Sequence, residues 1–196
     1  MSKAVLISIR PKWCEKICNG EKTVEVRKTR PKLQTPFKCY IYCTLQGMND
    51  FFRAELGGDV AGWNRGRWGD RKGAVIGEFT CDRVYRLVTS GPGGSYSVEG
   101  EEQSTTNLVA RWSCIGLSDM HTYLKSKTGY GLHISGLKVY DAPKGLDAFR
   151  RACAHDWYCD SCAMHWENNG TCGNESLRLK RPPQSWCYVE EMRWND

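Results

Sequence analysis

The chain has 196 residues, 40% of them hydrophobic, with a formal net charge of +6. This is enough apolar content for one core carrying a sizeable insert, and it excludes an intrinsically disordered chain. No apolar run approaches the roughly 20 residues of a membrane span. Met1-Ser-Lys3 leads straight into strand-like residues without a signal-peptide pattern, so the expected location is the cytoplasm. A mild positive charge permits a polyanionic partner without requiring one.

Taken in chain order, Val5–Ile9 reads as a buried first strand stopped by Pro11. Lys12–Asn19 has helical spacing, with Trp13, Ile17 and Cys14/Cys18 on one side and Gly20 placed as its C-terminal cap. Thr23–Arg27 alternates as a second strand, followed by a basic, proline-containing loop and a third strand over Lys38–Thr44. Gly57–Gly73, rich in glycine, tryptophan and arginine, is expected to be an exposed loop. Ala74–Tyr85 is read as one long strand with a bulge at Gly77, and Ser90–Gly100 as a loop. Leu117–Leu124 reads as a short helix, Gly131–Tyr140 as a further strand and Ser185–Glu190 as the last. Several strands with few, short helices predict a barrel-like α+β domain.

The chain has eleven cysteines. Seven of them, Cys14, Cys18, Cys39, Cys43, Cys81, Cys114 and Cys187, are scattered through expected core elements, where a thiol behaves as a small hydrophobe. The other four form the pattern Cys153-x5-Cys159-x2-Cys162-x9-Cys172. A Cys-x2-Cys pair places two thiolates on one ion, and the flanking cysteines complete a tetrahedral sulfur set that suits structural zinc. His155 and His165 are alternative ligands, and an iron–sulfur cluster, reduced thiols or disulfides are the competing readings. The segment has too little apolar content to fold alone, so a metal would supply stability, not chemistry. Arg150, Arg151, Arg178, Lys180 and Arg181 flank it and, with Trp157, Tyr158 and Trp166, suggest a surface for single-stranded nucleic acid.

The stretch 10–28 carries a recognisable signature. After the expected helix, Gly20, Lys22, Glu25 and Arg27 stand at the fixed places of G-x-K-x-x-E-x-R. This resembles the ASCH domain of the PUA-like superfamily. Residues 130–141 followed by Pro143-Lys144, and the closing 180–189, also resemble segments of phage and bacterial ASCH proteins. The resemblance covers about 1–150 and 179–192, which suggests a barrel over 1–150, a cysteine-rich insert over 151–178 and a final strand within 179–196.

The resemblance implies a β-pseudo-barrel of five or six strands with a cleft beside the first helix. PUA-like relatives bind RNA or modified bases, and some ASCH members resemble hydrolases acting on RNA or on an acylated cytidine nucleoside. The nucleoside hydrolases carry Lys-Thr-x-Thr, and Glu25 stands here at the second threonine, a departure from that pattern. On a strand, Thr23, Glu25 and Arg27 share one face while Val24 and Val26 point to the other. Arg27 suits a phosphate or base edge, Glu25 a base amino group, and Lys22 a phosphate or a proton. A solvated ion-pair row is the alternative. Arg10, Lys28, His133 and Ser135 complete the ligand-binding candidates of the matching segments.

Three functions remain open at this level. The first is a module binding single-stranded RNA, a nucleotide or a modified base, with structural zinc. The second is an RNA or nucleoside hydrolase with Lys22 and Glu25 as catalytic residues. The third is a mobile-element inhibitor or adaptor that binds a protein through Trp63, Arg65, Arg67 and Trp68.

Overall fold

In the computed structural model the residues described are 2–45, 73–91, 94–153, 162–166 and 173–192. Trp63, Arg65, Arg67 and Trp68 lie outside them, as do His155, Trp157, Tyr158, Cys159 and Cys172. The chain is α+β, and its packing divides it into two units.

The first unit comprises Met1–Pro11, Lys38–Gly77 and Tyr140–Asp196. Its sheet has the order β8-β4-β3-β1-β9, from strands β1 (Lys3–Ile9), β3 (Phe37–Cys43), β4 (Ala74–Cys81), β8 (Ser135–Lys144) and β9 (Trp186–Glu190). β1 is an unbroken apolar run because it is a central strand, parallel to β3 and antiparallel to β9, and it is buried on both faces. On one face Ala4, Leu6, Tyr40, Tyr42 and Val189 join Phe149 and Leu179 in a core, where the Tyr40 and Phe149 rings meet edge-on at 5.0 Å. β9 is drawn onto β1 by Ser8, whose N–H donates to Ser185 O (2.9 Å) and whose hydroxyl donates to Pro183 O (2.7 Å).

The second unit comprises Lys12–Phe37 and Glu78–Val139. Its antiparallel sheet has the order β2-β7-β5-β6, with β2 (Val24–Arg27), β5 (Val84–Thr89), β6 (Tyr96–Val98) and β7 (Gly129–His133). Val24, Val26, Tyr85, Leu87, Tyr96 and Val98 form a core with Val109, Met120 and Leu124 of helices α2 (Gln103–Ser113) and α3 (Leu117–Leu124). The first helix, α1 (Pro11–Cys18), begins on proline, whose missing N–H costs nothing at that position. Gly20 closes it with φ +81° and its N–H on Ile17 O, as the sequence predicts.

Several elements differ from expectation, β6 among them, since it lies inside the loop expected over Ser90–Gly100. The strand predicted over Ala74–Tyr85 breaks at Asp82–Arg83 into β4 and β5, which belong to different sheets. The strand predicted over Gly131–Tyr140 breaks at Ile134 into β7 and β8 for the same reason. At the crossing, the N–H of His133 donates to Arg83 O and that of Ile134 to Thr23 O. Helix α2 was not anticipated, because its buried face is Thr106, Val109 and Ser113, only one of which is apolar. Among the described residues there are nine strands in two sheets, against the five or six implied by the resemblance. No helix among the described residues is long and apolar enough to cross a membrane.

Of the scattered cysteines, Cys14, Cys39, Cys43 and Cys81 are buried and Cys18, Cys114 and Cys187 partly so. Burial pushes the Cys81 thiol up to about 12, so it stays protonated at neutral pH.

Gly131 sits in the middle of β7, opposite Val26 on one side and Tyr85 on the other. A β-carbon there would lie 2.9 Å from Val24 Cγ1 and 3.5 Å from Tyr85 Cβ. Gly131→Ala is expected to destabilise the fold by about 1–3 kcal/mol. Urea unfolding checks this: the midpoint falls at an unchanged slope, whereas an unchanged midpoint would mean the sheet gives way freely.

Candidate functional site

Lys22 lies between α1 and β2 with 1% of its surface exposed. Its ammonium donates to Ser113 O (2.6 Å) and Val24 O (2.9 Å) and lies 3.3 Å from a Glu25 oxygen. Ser113 is the last residue of α2, so the cation also meets the negative end of that helix. The Trp13 ring covers it at 5.0 Å. The other Glu25 oxygen takes Arg27 at 2.9 Å. The face expected to be polar and open is therefore a buried row, with all four residues of β2 inside. Burial pushes the Lys22 ammonium below its ordinary range, and the Glu25 carboxylate pulls it back up.

The three signature charges thus touch one another. They tie β2 to the end of α2, and the N–H of Thr23 reinforces the joint by donating to Trp112 O at 2.9 Å. The remaining candidates lie elsewhere. Arg10 is exposed after β1, in the first unit. Lys28 is exposed, with its ammonium 5.2 Å from the Tyr123 ring centre. His133 pairs across the sheet with Val24, on the face opposite Glu25 and Arg27. Its Nδ1 lies 2.6 Å from Asp82, and the Tyr85 and Trp112 rings are each 6.4 Å away. Partial burial pushes the Asp82 carboxyl up, but the hydrogen bond to His133 leads the contributions that outweigh it and hold Asp82 below its ordinary range. The Ser135 hydroxyl donates to Thr80 O at 2.9 Å.

The sheet register extends the buried row toward solvent. Arg27 stands opposite Tyr130, and Tyr130 opposite Arg86, so the three lie in line across β2, β7 and β5 on one face. Strands about 4.8 Å apart make such a row continuous. Arg27 is nearly buried and Arg86 half exposed. At the exposed end is a groove of about 430 Å³, whose lining includes Arg30, Arg83, Arg86, Tyr130, Glu99 and Glu101. Arg86 pairs with Glu99 and Arg83 with Glu101. Sequence reading missed this groove: Tyr130 stood in one of the matching segments, but Arg86 joins it only through strand register and Arg83 through the link before β5.

Near the C-terminus, Arg150 and Arg178 form an isolated β-bridge, and both guanidiniums reach Glu175. The N–H of Arg151 donates to Leu177 O at 2.7 Å, and that of Leu179 to Phe149 O at 2.9 Å. The backbone on the two sides of the cysteine-rich segment is therefore hydrogen-bonded together. Cys153 and Cys162 are described, and among the described residues no group of three or more metal-ligating side chains converges.

No protein-family model and no curated protein sequence matches the chain. Solved structures do. The ASCH protein of Zymomonas mobilis matches at 14% identity and a TM-score of 0.53, over 96% of this chain and 88% of that one. Two single-residue variants of the same protein match at TM-scores of 0.53 and 0.52, again at 14% identity, over 96% and 97% of this chain and 89% and 92% of theirs.

Removing the Lys22 ammonium would strand one Glu25 oxygen and two carbonyls in the interior. Lys22→Ala is expected to cost about 3–5 kcal/mol, the range for breaking one side of a buried charge pair. A chemical-denaturation midpoint equal to that of the parent chain would overturn the structural role assigned to Lys22.

Proposed function

We propose that this chain, which has the ASCH fold, is a binding module for single-stranded RNA or a nucleotide, and that the arginine- and tyrosine-lined groove of its second unit is the contact surface. The observation that carries this reading is the row Arg27–Tyr130–Arg86, which ends in a groove bearing three arginines. Guanidiniums suit phosphate oxygens bidentately, and a tyrosine beside them suits a base or sugar. Arg30 makes no ion pair among the described residues, so it is the least compensated cation of the three. The buried Lys22–Glu25–Arg27 set acts in this reading as the scaffold that orients the row.

Catalysis through Lys22 and Glu25 has less support, since the lysine ammonium already serves two carbonyls and a carboxylate. Cys153, Cys159, Cys162 and Cys172 are proposed to hold structural zinc. This is supported by the paired backbone that flanks the segment and by Gly173, next to Cys172, whose N–H donates to Met164 O (3.3 Å) just beyond Cys162.

For RNA, Arg30→Ala and Arg86→Ala should each weaken retention of a labelled single strand several-fold. Each should also flatten the log–log salt dependence by about 0.7, the single-strand value per phosphate contact. Retention equal to that of the parent chain would remove the groove from the contact surface. For the metal, elemental analysis should find one zinc per chain, and chelation should lower the melting temperature. A metal-free protein with the same melting temperature would end the zinc reading.

A further inference from the structure

Two of the groove's arginines are already occupied by carboxylates of one short segment. Glu99 and Glu101 follow β6, alternate along the chain, and meet Arg86 and Arg83 respectively. The backbone sets this register: the N–H of Glu99 donates to Arg86 O (2.9 Å), and that of Glu101 to Val98 O (3.2 Å). Arg83 also lies over the Tyr85 ring at 5.0 Å, and Arg86 stands directly opposite Tyr130 on the neighbouring strand. About half of each guanidinium side chain remains exposed, as does half of Glu99 and nearly a third of Glu101.

From this geometry we infer that Glu99 and Glu101 are an internal phosphate mimic: they hold Arg86 and Arg83 in the unliganded protein and are displaced when the phosphates of a ligand enter the groove. The inference rests on the groove being the binding surface, and it adds how that surface is held back. A carboxylate and a phosphate offer a guanidinium the same pair of acceptor oxygens, so only one can hold the fork at a time. Exposed ion pairs of this kind are weak, so an incoming polyanion can exchange for them. A ligand bearing one charge would meet this competition at each arginine, whereas adjacent phosphates could displace both carboxylates together. The segment therefore favours consecutive phosphates over single ones. Since the next residue, Glu102, stands at the N-cap position of α2, displacement bears on the segment entering that helix.

The test compares the parent chain with Glu99→Gln/Glu101→Gln and with a control, Asp119→Asn/Asp147→Asn, that removes the same charge from exposed positions outside the groove. Circular dichroism confirms that all three fold. Each is titrated with single-stranded RNA and with inorganic tripolyphosphate. The glutamine pair should tighten both ligands by about threefold to tenfold, the range two weak exposed pairs allow, while the control changes little. Equal tightening by both variants would reduce the effect to net charge and overturn the inference. Weaker binding by the glutamine pair would also overturn it, by making the glutamates supports for the arginines. If the parent chain binds RNA and the glutamine pair binds it no better, the mimic fails while the RNA reading stands. If tripolyphosphate alone is bound, and more tightly by the glutamine pair, the mimic stands and the RNA reading fails. If neither probe binds any of the proteins, both fail.

Discussion

A lysine ammonium removed from water must find acceptors for all its protons, and Lys22 finds them in two backbone carbonyls and a carboxylate. This requirement organises the second unit. It joins the start of β2 to the last turn of α2, and it draws Glu25 inward, where that carboxylate can hold Arg27. The set carries two positive charges and one negative, so it persists in the interior only because each group has a polar partner. Removing any member leaves a charge or dipole that water cannot reach.

From this anchor the chemistry runs outward along the sheet. Antiparallel pairing carries the row from buried Arg27 through Tyr130 to half-exposed Arg86. Rigidity at the buried end and exposure at the other would suit the binding surface proposed for the groove, because its cations stand on a backbone already fixed. Glu99 and Glu101 pair with two of the groove's arginines.

The first unit shows a different economy. Its sheet is closed around aromatic and aliphatic contacts, with Tyr40, Phe149 and Leu179 brought together from distant parts of the chain. The arginines at the foot of the cysteine-rich segment, which read from sequence as nucleic-acid contacts, are in part engaged locally: Arg150 and Arg178 converge on Glu175. Hydrogen bonds from both arginines hold the Glu175 carboxyl below its ordinary range. Two of the flanking cations are therefore committed to the base of the segment.

Periodicity and side-chain type were sufficient for the sequence alone to determine β1, α1 with its Gly20 cap, β2 and β9, because each is a local pattern read over a few residues. The ASCH resemblance was legible for the same reason: Gly20, Lys22, Glu25 and Arg27 lie within eight residues of one another. Alternation correctly separated Val24 and Val26 from Glu25 and Arg27, but it could not say whether the second face meets water. That depends on Trp13 and on the end of α2, a helix with too few apolar residues to announce itself. The breaks at Asp82–Arg83 and Ile134 were likewise invisible, since a strand that changes sheet keeps a continuous strand-like sequence. The groove belonged to tertiary structure entirely: Arg30, Arg83, Arg86 and Tyr130 are spread over about a hundred residues, and only strand register, which long-range pairing sets, brings them to one surface.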